Sequence, residues 1–244
     1  MASDHDTDEP TLEEVLRLFA QAQADESAYP DEGLRERKKR QNRQRISNVA
    51  TALFLVRGFD QVTVAEVAAA AEVSEQTVFN YFPTKESLFF DRSEPTIRTV
   101  ADAVRVRTSV PLVEVAVASI ASEIHPGRWA DIDDAGQLRL IRRFCEVATG
   151  SPTLVASRFA DLQLFVDEVS VAMAERVGAD PGDPDVHLAT FVLAGLVGVR
   201  VQSAYRHAQE VDSFAELTER IHADFLAAAQ VAEPSLSAFD VVRR

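Results

Sequence analysis

Apolar residues recur at three- and four-residue intervals along nearly the whole chain after residue 45, and no segment shows the two-residue alternation of a half-buried strand. That periodicity confines the chain to helices. Ile46, Val49, Ala50, Leu53 and Phe54 make one stripe within a helix read from Arg35 to a stop at Gly58. Longer stripes predict helices near 95–108, 111–124, 132–148, 152–177, 184–209 and 213–231. They are parted by Pro95, Pro111, Pro126-Gly127, Gly150-Ser151-Pro152, Pro181-Gly182-Asp183-Pro184 and Val211-Asp212. The expected class is all-α, with a small domain over 35–84, a larger helical domain over 85–232, and a tail over 233–244 opened by Pro234.

Between the first helix and residue 91 the elements become short. A helix starts near Thr63 with Val64, Val67, Ala68 and Ala71 on one face, breaks at Val73-Ser74, and is followed by a helix that Ser74 caps and Pro83 ends. Thr84 caps a fourth. Helix, tight break and helix within about twenty residues is the helix-turn-helix unit, whose second helix enters the major groove. Val78 and Phe82 point inward, leaving Glu75, Gln76, Thr77, Asn80 and Tyr81 outward or at the end. Gln and Asn pair with adenine edges, and a Thr, a Tyr or a Lys such as Lys85 can hold phosphates.

Charge agrees once it is resolved along the chain. The net charge of −14 argues against nucleic acid, but residues 1–34 hold ten acids and one base, while residues 35–92 hold ten bases and seven acids. Seven of those bases lie between Arg35 and Arg45, ahead of the apolar stripe, where they can track a DNA backbone. The acidic leader, 1–34, is expected to be mostly disordered, although Leu12, Val15, Leu16 and Phe19 recur at helical spacing after Thr11. It either aids solubility or competes with DNA for the neighbouring bases.

The stretch from Arg45 to Phe90 resembles the TetR family of one-component bacterial regulators. The resemblance rests on Ala50, Phe54-Leu55 through Gly58-Phe59, Thr63 to Ala68, Val73-Ser74, Thr77 to Phe82, and Lys85 to Leu88. It implies a homodimer that sends three N-terminal helices of each subunit to double-stranded DNA, and a C-terminal domain that binds a small-molecule effector and dimerises through its last two helices. Thr63, Ser74, Thr77, Tyr81 and Lys85 would then contact phosphates, with Gln76 and Asn80 facing bases. Arg45, the last of the basic cluster, is also expected to bind DNA. Glu72 departs from the family pattern, which places Gly in the turn.

Two glycines inside the apolar run Thr190–Val199 favour close helix approach, since each costs roughly 0.5–1 kcal/mol relative to Ala. A dimer interface is expected over Phe191, Ala194, Gly195, Gly198, Gln202, Leu217, Ile221 and Phe225, the alternative being a buried central helix of a monomer. An effector pocket is expected from Trp129, Arg142, Phe144, Phe159, Leu162, Phe165 and Val166. Aromatic residues at this spacing also suit plain core.

Other classes find less support. Cys145 is the single cysteine and reads as buried and inert. The histidines lack metal-ligand spacing, and no Ser-His-Asp grouping or phosphate-cradling glycine loop stands out, so neither an enzyme nor a cofactor is expected. No signal peptide is read in MASDHDTDEP, and the longest run free of Asp, Glu, Lys and Arg, Val186 to Val199, is fourteen residues, which points to a soluble cytoplasmic protein. The expected function is a repressor released from a palindromic operator by its effector. The other reading is a helical small-molecule-binding or interaction protein that no longer binds DNA.

Overall fold

The computed structural model describes Leu12, Glu13, Val15 and residues 33–91, 93–106, 109–121 and 132–240. Regular structure among these residues is helical. The first helix, α1 (Leu34–Arg57), stops at Gly58, whose φ of 84° is a conformation that suits glycine. Three short helices follow: α2 (Val64–Ala70), α3 (Glu75–Tyr81) and α4 (Lys85–Phe89). Each is nucleated by its cap. The side chains of Thr63, Ser74 and Thr84 accept the backbone N–H three residues on, and Thr63 and Thr84 complete reciprocal capping boxes.

The turn between α2 and α3 keeps its left-handed residue. Glu72 has φ of 53°, with its N–H on Ala69 O (3.1 Å) and the Val73 N–H on Ala68 O (3.0 Å). Glu72 therefore does not reshape the turn. It occupies it at a backbone cost of about 1 kcal/mol.

Ile46, Leu53 and Phe54 of α1, Val67 and Ala68 of α2, Val78 and Phe82 at α3, and Leu88 and Phe89 of α4 make one buried cluster. Val147, Ala148 and Leu154 join it from the larger domain, so the expected division at 84/85 falls inside a continuous core, and α4 packs with the head.

The body comprises α5 (Ser93–Val106), α6 (Leu112–Ala121), α7 (Asp134–Gly150), α8 (Pro152–Val177), α9 (Pro184–His207) and α10 (Phe214–Leu236). Asp133, Ser151, Asp183 and Ser213 cap the last four, and proline sits at the start of α8 and α9 where its missing N–H is harmless. Met173, Leu193 and Phe225 are wholly buried at its centre. Arg176 is a buried cation that donates to the carbonyls of Phe239 (3.2 Å), Val104 (3.2 Å) and Val110 (2.5 Å), and burial holds its pKa below the ordinary value.

One expectation is corrected. Pro234 does not open a tail: α10 runs through it to Leu236 and ends in a 3-10 turn, Ser237–Phe239. A proline inside a helix costs about 3 kcal/mol, but burying Leu236 and Phe239, 0% and 3% exposed, returns about 1.5–3 kcal/mol each. Of the leader, Leu12, Glu13 and Val15 are among the described residues, in helical conformation, and Val15 is wholly buried.

Cys145 is buried, and burial pushes its thiol up to about 12, the inert state expected of it. By length and mean hydropathy (1.4) α9 could cross a bilayer, and 33% of that apolar window is buried in this chain. Its outward side is described below.

Candidate nucleic-acid interface

The head presents α3 through a simple division of faces. Val78 and Phe82 are 0% and 1% exposed and fix the helix to α1 and α2, while Glu75, Gln76, Phe79 and Asn80 stand outward. The Arg43 guanidinium of α1 lies 4.6 Å from the centre of the Phe82 ring, and it also donates to Asp91 O at 3.0 Å. Ser47 adds a bond to the Asp91 carboxylate (2.5 Å), so the residue after α4 is tied to α1 beside the arginine that covers Phe82.

On the outer face Gln76 donates to the Asn80 side-chain oxygen at 3.1 Å. The Ser74 and Thr77 hydroxyls lie 2.8 Å apart, and Ser74 also accepts the Thr77 N–H at 3.1 Å. Thr77, Asn80 and Tyr81 line a cleft of about 430 Å³ whose other wall is Arg35, Lys38, Lys39 and Asn42 of α1. The basic start of α1 thus stands beside the end of α3, three cations facing an amide, a hydroxyl and a phenol. Arg45 is exposed on the same helix.

Thr63 and Lys85 are placed differently. The Thr63 hydroxyl and N–H both donate to Glu66 Oε2 (2.8 Å each), and Glu66 pairs with Arg57 at 2.8 Å. The Thr63 bonds and Arg57 hold the Glu66 carboxyl at a pKa of about 2. Lys85 turns back into the head: its ammonium donates to Phe59 O (2.7 Å), lies 4.1 Å from the Phe59 ring centre, and has its pKa lowered by burial. In this conformation it braces α4 on the loop after α1 rather than facing outward.

Phe79, outside the expected set of DNA-binding residues, is 43% exposed on α3 between Gln76 and Asn80. Its signal was present: an aromatic residue one position off the Val78–Phe82 stripe has no inward place in so short a helix.

The residues expected to form an effector pocket do not converge. Phe165 and Val166 are core, each 4% exposed, whereas Phe159 (74%) and Leu162 (39%) face outward from the opposite side of α8. Phe144 stacks on Phe89 with centroids 4.5 Å apart and rings 15° from parallel. Arg142 is spent on the carbonyls of Ala208 (2.6 Å) and Val211 (2.5 Å), tying α7 to the end of α9. Trp129 lies outside the described residues.

Of the expected interface, Leu217, Ile221 and Phe225 turn inward, 0%, 6% and 0% exposed, and belong to the chain's own core. The α9 residues stand outward: Leu188, Phe191, Gly195, Gly198 and Gln202 are all exposed at helical spacing. A Cβ added at Gly195 or Gly198 meets nothing within 4 Å, so neither glycine serves packing within one chain. On α10 the outward apolar side is Ala223, Leu226, Ala227 and Val231.

Residues 46–91 match the family model for bacterial regulatory proteins of the tetR family. The chain is 26% identical over 172 residues to the HTH-type transcriptional regulator TcmR of Streptomyces glaucescens, covering 68% of this chain and 74% of that protein. Among solved structures, Thermus thermophilus FadR, a TetR-family transcriptional repressor in complex with lauroyl-CoA, is 24% identical (TM-score 0.42; 76% of this chain, 92% of that one). NalD of Pseudomonas aeruginosa, the secondary repressor of the MexAB-OprM multidrug efflux pump, is 17% identical (TM-score 0.47; 82% and 98%).

Proposed function

The chain is a TetR-family transcriptional regulator, and on that premise we propose that it is a homodimeric cytoplasmic repressor that leaves a palindromic operator when a small molecule binds its body. The observation that carries this reading is the α1–α3 cleft, in which Arg35, Lys38 and Lys39 stand beside Thr77, Asn80 and Tyr81. Cations there neutralise phosphates and set the salt-sensitive part of affinity, while Gln76, Asn80 and the exposed Phe79 meet base edges and thymine methyls. Ser74, Thr77 and Tyr81 hold the flanking phosphates. Thr63 joins them from the start of α2.

The dimer is proposed through α9 and α10. Leu188, Phe191, Gly195 and Gly198, with Ala194 beside them and Gln202 beyond, offer a small-residue face for the same helix of a second copy. Leu226 and Val231 extend it on α10 into a four-helix bundle. Two heads held by one bundle address successive major grooves about 34–36 Å apart. The effector acts by favouring a dimer whose heads no longer match that spacing. Purified protein incubated with sheared genomic DNA should retain a small set of fragments sharing an inverted repeat. Retention of random fragments only, or of none, would refute operator recognition.

A further inference from the structure

Arg158, on the second turn of α8, joins three elements that lie far apart in sequence. Its guanidinium lies 3.8 Å from the centre of the ring of Phe90, the residue that ends α4 in the head. One of its nitrogens donates to the Tyr205 hydroxyl of α9 at 3.0 Å, and another faces Asp161 of its own helix at 3.9 Å. Tyr205, with Phe90 and Phe144, packs against the buried cluster that head and body share. A planar guanidinium can lie on a ring and still donate to a phenol, which a lysine ammonium does less well.

Other contacts cross the same seam. Arg143 of α7 donates to Leu55 O (2.6 Å), the Ser151 hydroxyl donates to the Asp60 carboxylate (3.0 Å), and Phe144 stacks on Phe89. These tie the head to α7 and to the start of α8. Arg158 carries the tie on to α9, whose exposed Gly195, Gly198 and Gln202 belong to the proposed dimer face. Tyr205 follows Gln202 by less than one helical turn. The helix that would face a second copy is thus bonded, one turn farther on, to the arginine that covers the end of the head.

We infer that Arg158 is a positioning residue for operator binding. Stacked on Phe90 and bonded to Tyr205, it fixes the angle between the head and the dimer helix, and with it the distance between the two heads of the dimer. The inference rests on the DNA-binding and dimer readings above. Small angles matter here. The 24-residue α1 is about 36 Å long. Turning a rod of that length by about 5° at its Leu55 end shifts the other end by about 3.4 Å, one base-pair step. Arg158 therefore sets which spacing of half-sites the dimer accepts, while the contacts within each half-site belong to α1 and α3.

The test compares full-length wild type, R158A and Y205F on duplexes carrying the inverted repeat recovered from genomic DNA. The half-sites stand at their natural spacing or one base pair closer or farther, and a fourth duplex carries one half-site alone. Thermal unfolding checks that each protein is folded at the assay temperature, and light scattering checks the dimer. Wild type should favour the natural spacing. Both variants should lose about 3–10-fold of that preference, the scale of one hydrogen bond, with single-half-site affinity and the dimer unchanged. An unchanged preference in both variants, or a wild type indifferent to spacing, overturns the inference. Loss in R158A alone overturns the link to α9, and loss in Y205F alone overturns the role of Arg158. Equal weakening on all four duplexes would show that Arg158 serves subunit stability alone, and overturns the inference too. A wild type that binds no duplex, or is monomeric, would instead overturn the DNA-binding or dimer reading on which it rests.

Discussion

Gln76 donates its amide N–H to the side-chain oxygen of Asn80 across one turn of α3, at 3.1 Å, so the two groups best suited to reading a base edge are paired with each other in the free protein. Each must exchange that bond for one to a base. Asn80→Ala or Gln76→Ala should relax discrimination at one operator position by about 1–3 kcal/mol. The double variant should lose less than the sum of the two, since either change alone already breaks the shared bond. Competition binding against single-base operator variants checks both points, and strict additivity would show that the residues read independently.

The left-handed turn offers a stability test. Glu72 holds φ of 53°, which glycine adopts without the Cβ penalty. Glu72→Gly should stabilise the head by about 1 kcal/mol, raising the midpoint of denaturant unfolding, and should leave operator affinity unchanged. A loss of stability would mean that the Glu72 side chain contributes more than its backbone costs.

Gly195 and Gly198 separate stability of the subunit from stability of the dimer. Because a Cβ at either position meets nothing within 4 Å, Gly195→Leu and Gly198→Leu should leave the subunit folded, with a helix-propensity gain of roughly 0.5–1 kcal/mol. Across a close helix pair the same side chains force the helices apart. Light scattering should report monomers, and operator affinity should fall by orders of magnitude as linkage of the two heads is lost. Intact dimers in both variants would place the interface elsewhere.

Acid should act on the capping box of α2. The Glu66 carboxyl, held at about 2 by its bonds to Thr63 and Arg57, lies below its ordinary value of 4.5. A depressed carboxylate contributes stability that is present above the unfolded value and is lost as pH falls through the folded one, here between about 4.5 and 2. NMR titration should place Glu66 near the lower limit, and Glu66→Gln should flatten the pH dependence of head stability over that window. A Glu66 midpoint near 4.5 would contradict the capping geometry.

Local signals carried far along this chain. The helix expected over 152–177 is α8, Pro152–Val177, because the Ser151 cap and the first-turn Pro152 act through their own backbone; left-handed Gly178 ends it. Tertiary burial was not legible in the same way. Periodicity places Phe159, Leu162, Phe165 and Val166 on one helix, yet only the packing of α8 against α5 and α9 decides that the last two are core and the first two are not. The α10 stripe misled for the same reason: Leu217, Ile221 and Phe225 mark a buried side, and the sequence does not say whether its cover comes from the same chain or another. Pro234 looks like a terminator in sequence because the burial of Leu236 and Phe239 that outweighs it is non-local. Val15 showed its helical spacing but not its seat, which α1 and α7 build from residues more than thirty positions away.

The cleft between α1 and α3 is the proposed seat of the DNA backbone, and the salt dependence of operator affinity tests that role most directly. For a duplex recovered from genomic DNA, log affinity should fall linearly with log salt at about 0.9 per phosphate neutralised. Lys38→Ala, which removes one cation of the cleft wall from each subunit, should lower that slope by about two for the dimer while leaving the ranking of operator variants intact. Affinity without salt dependence, or the absence of affinity for any duplex, would contradict the claim that this cleft holds DNA.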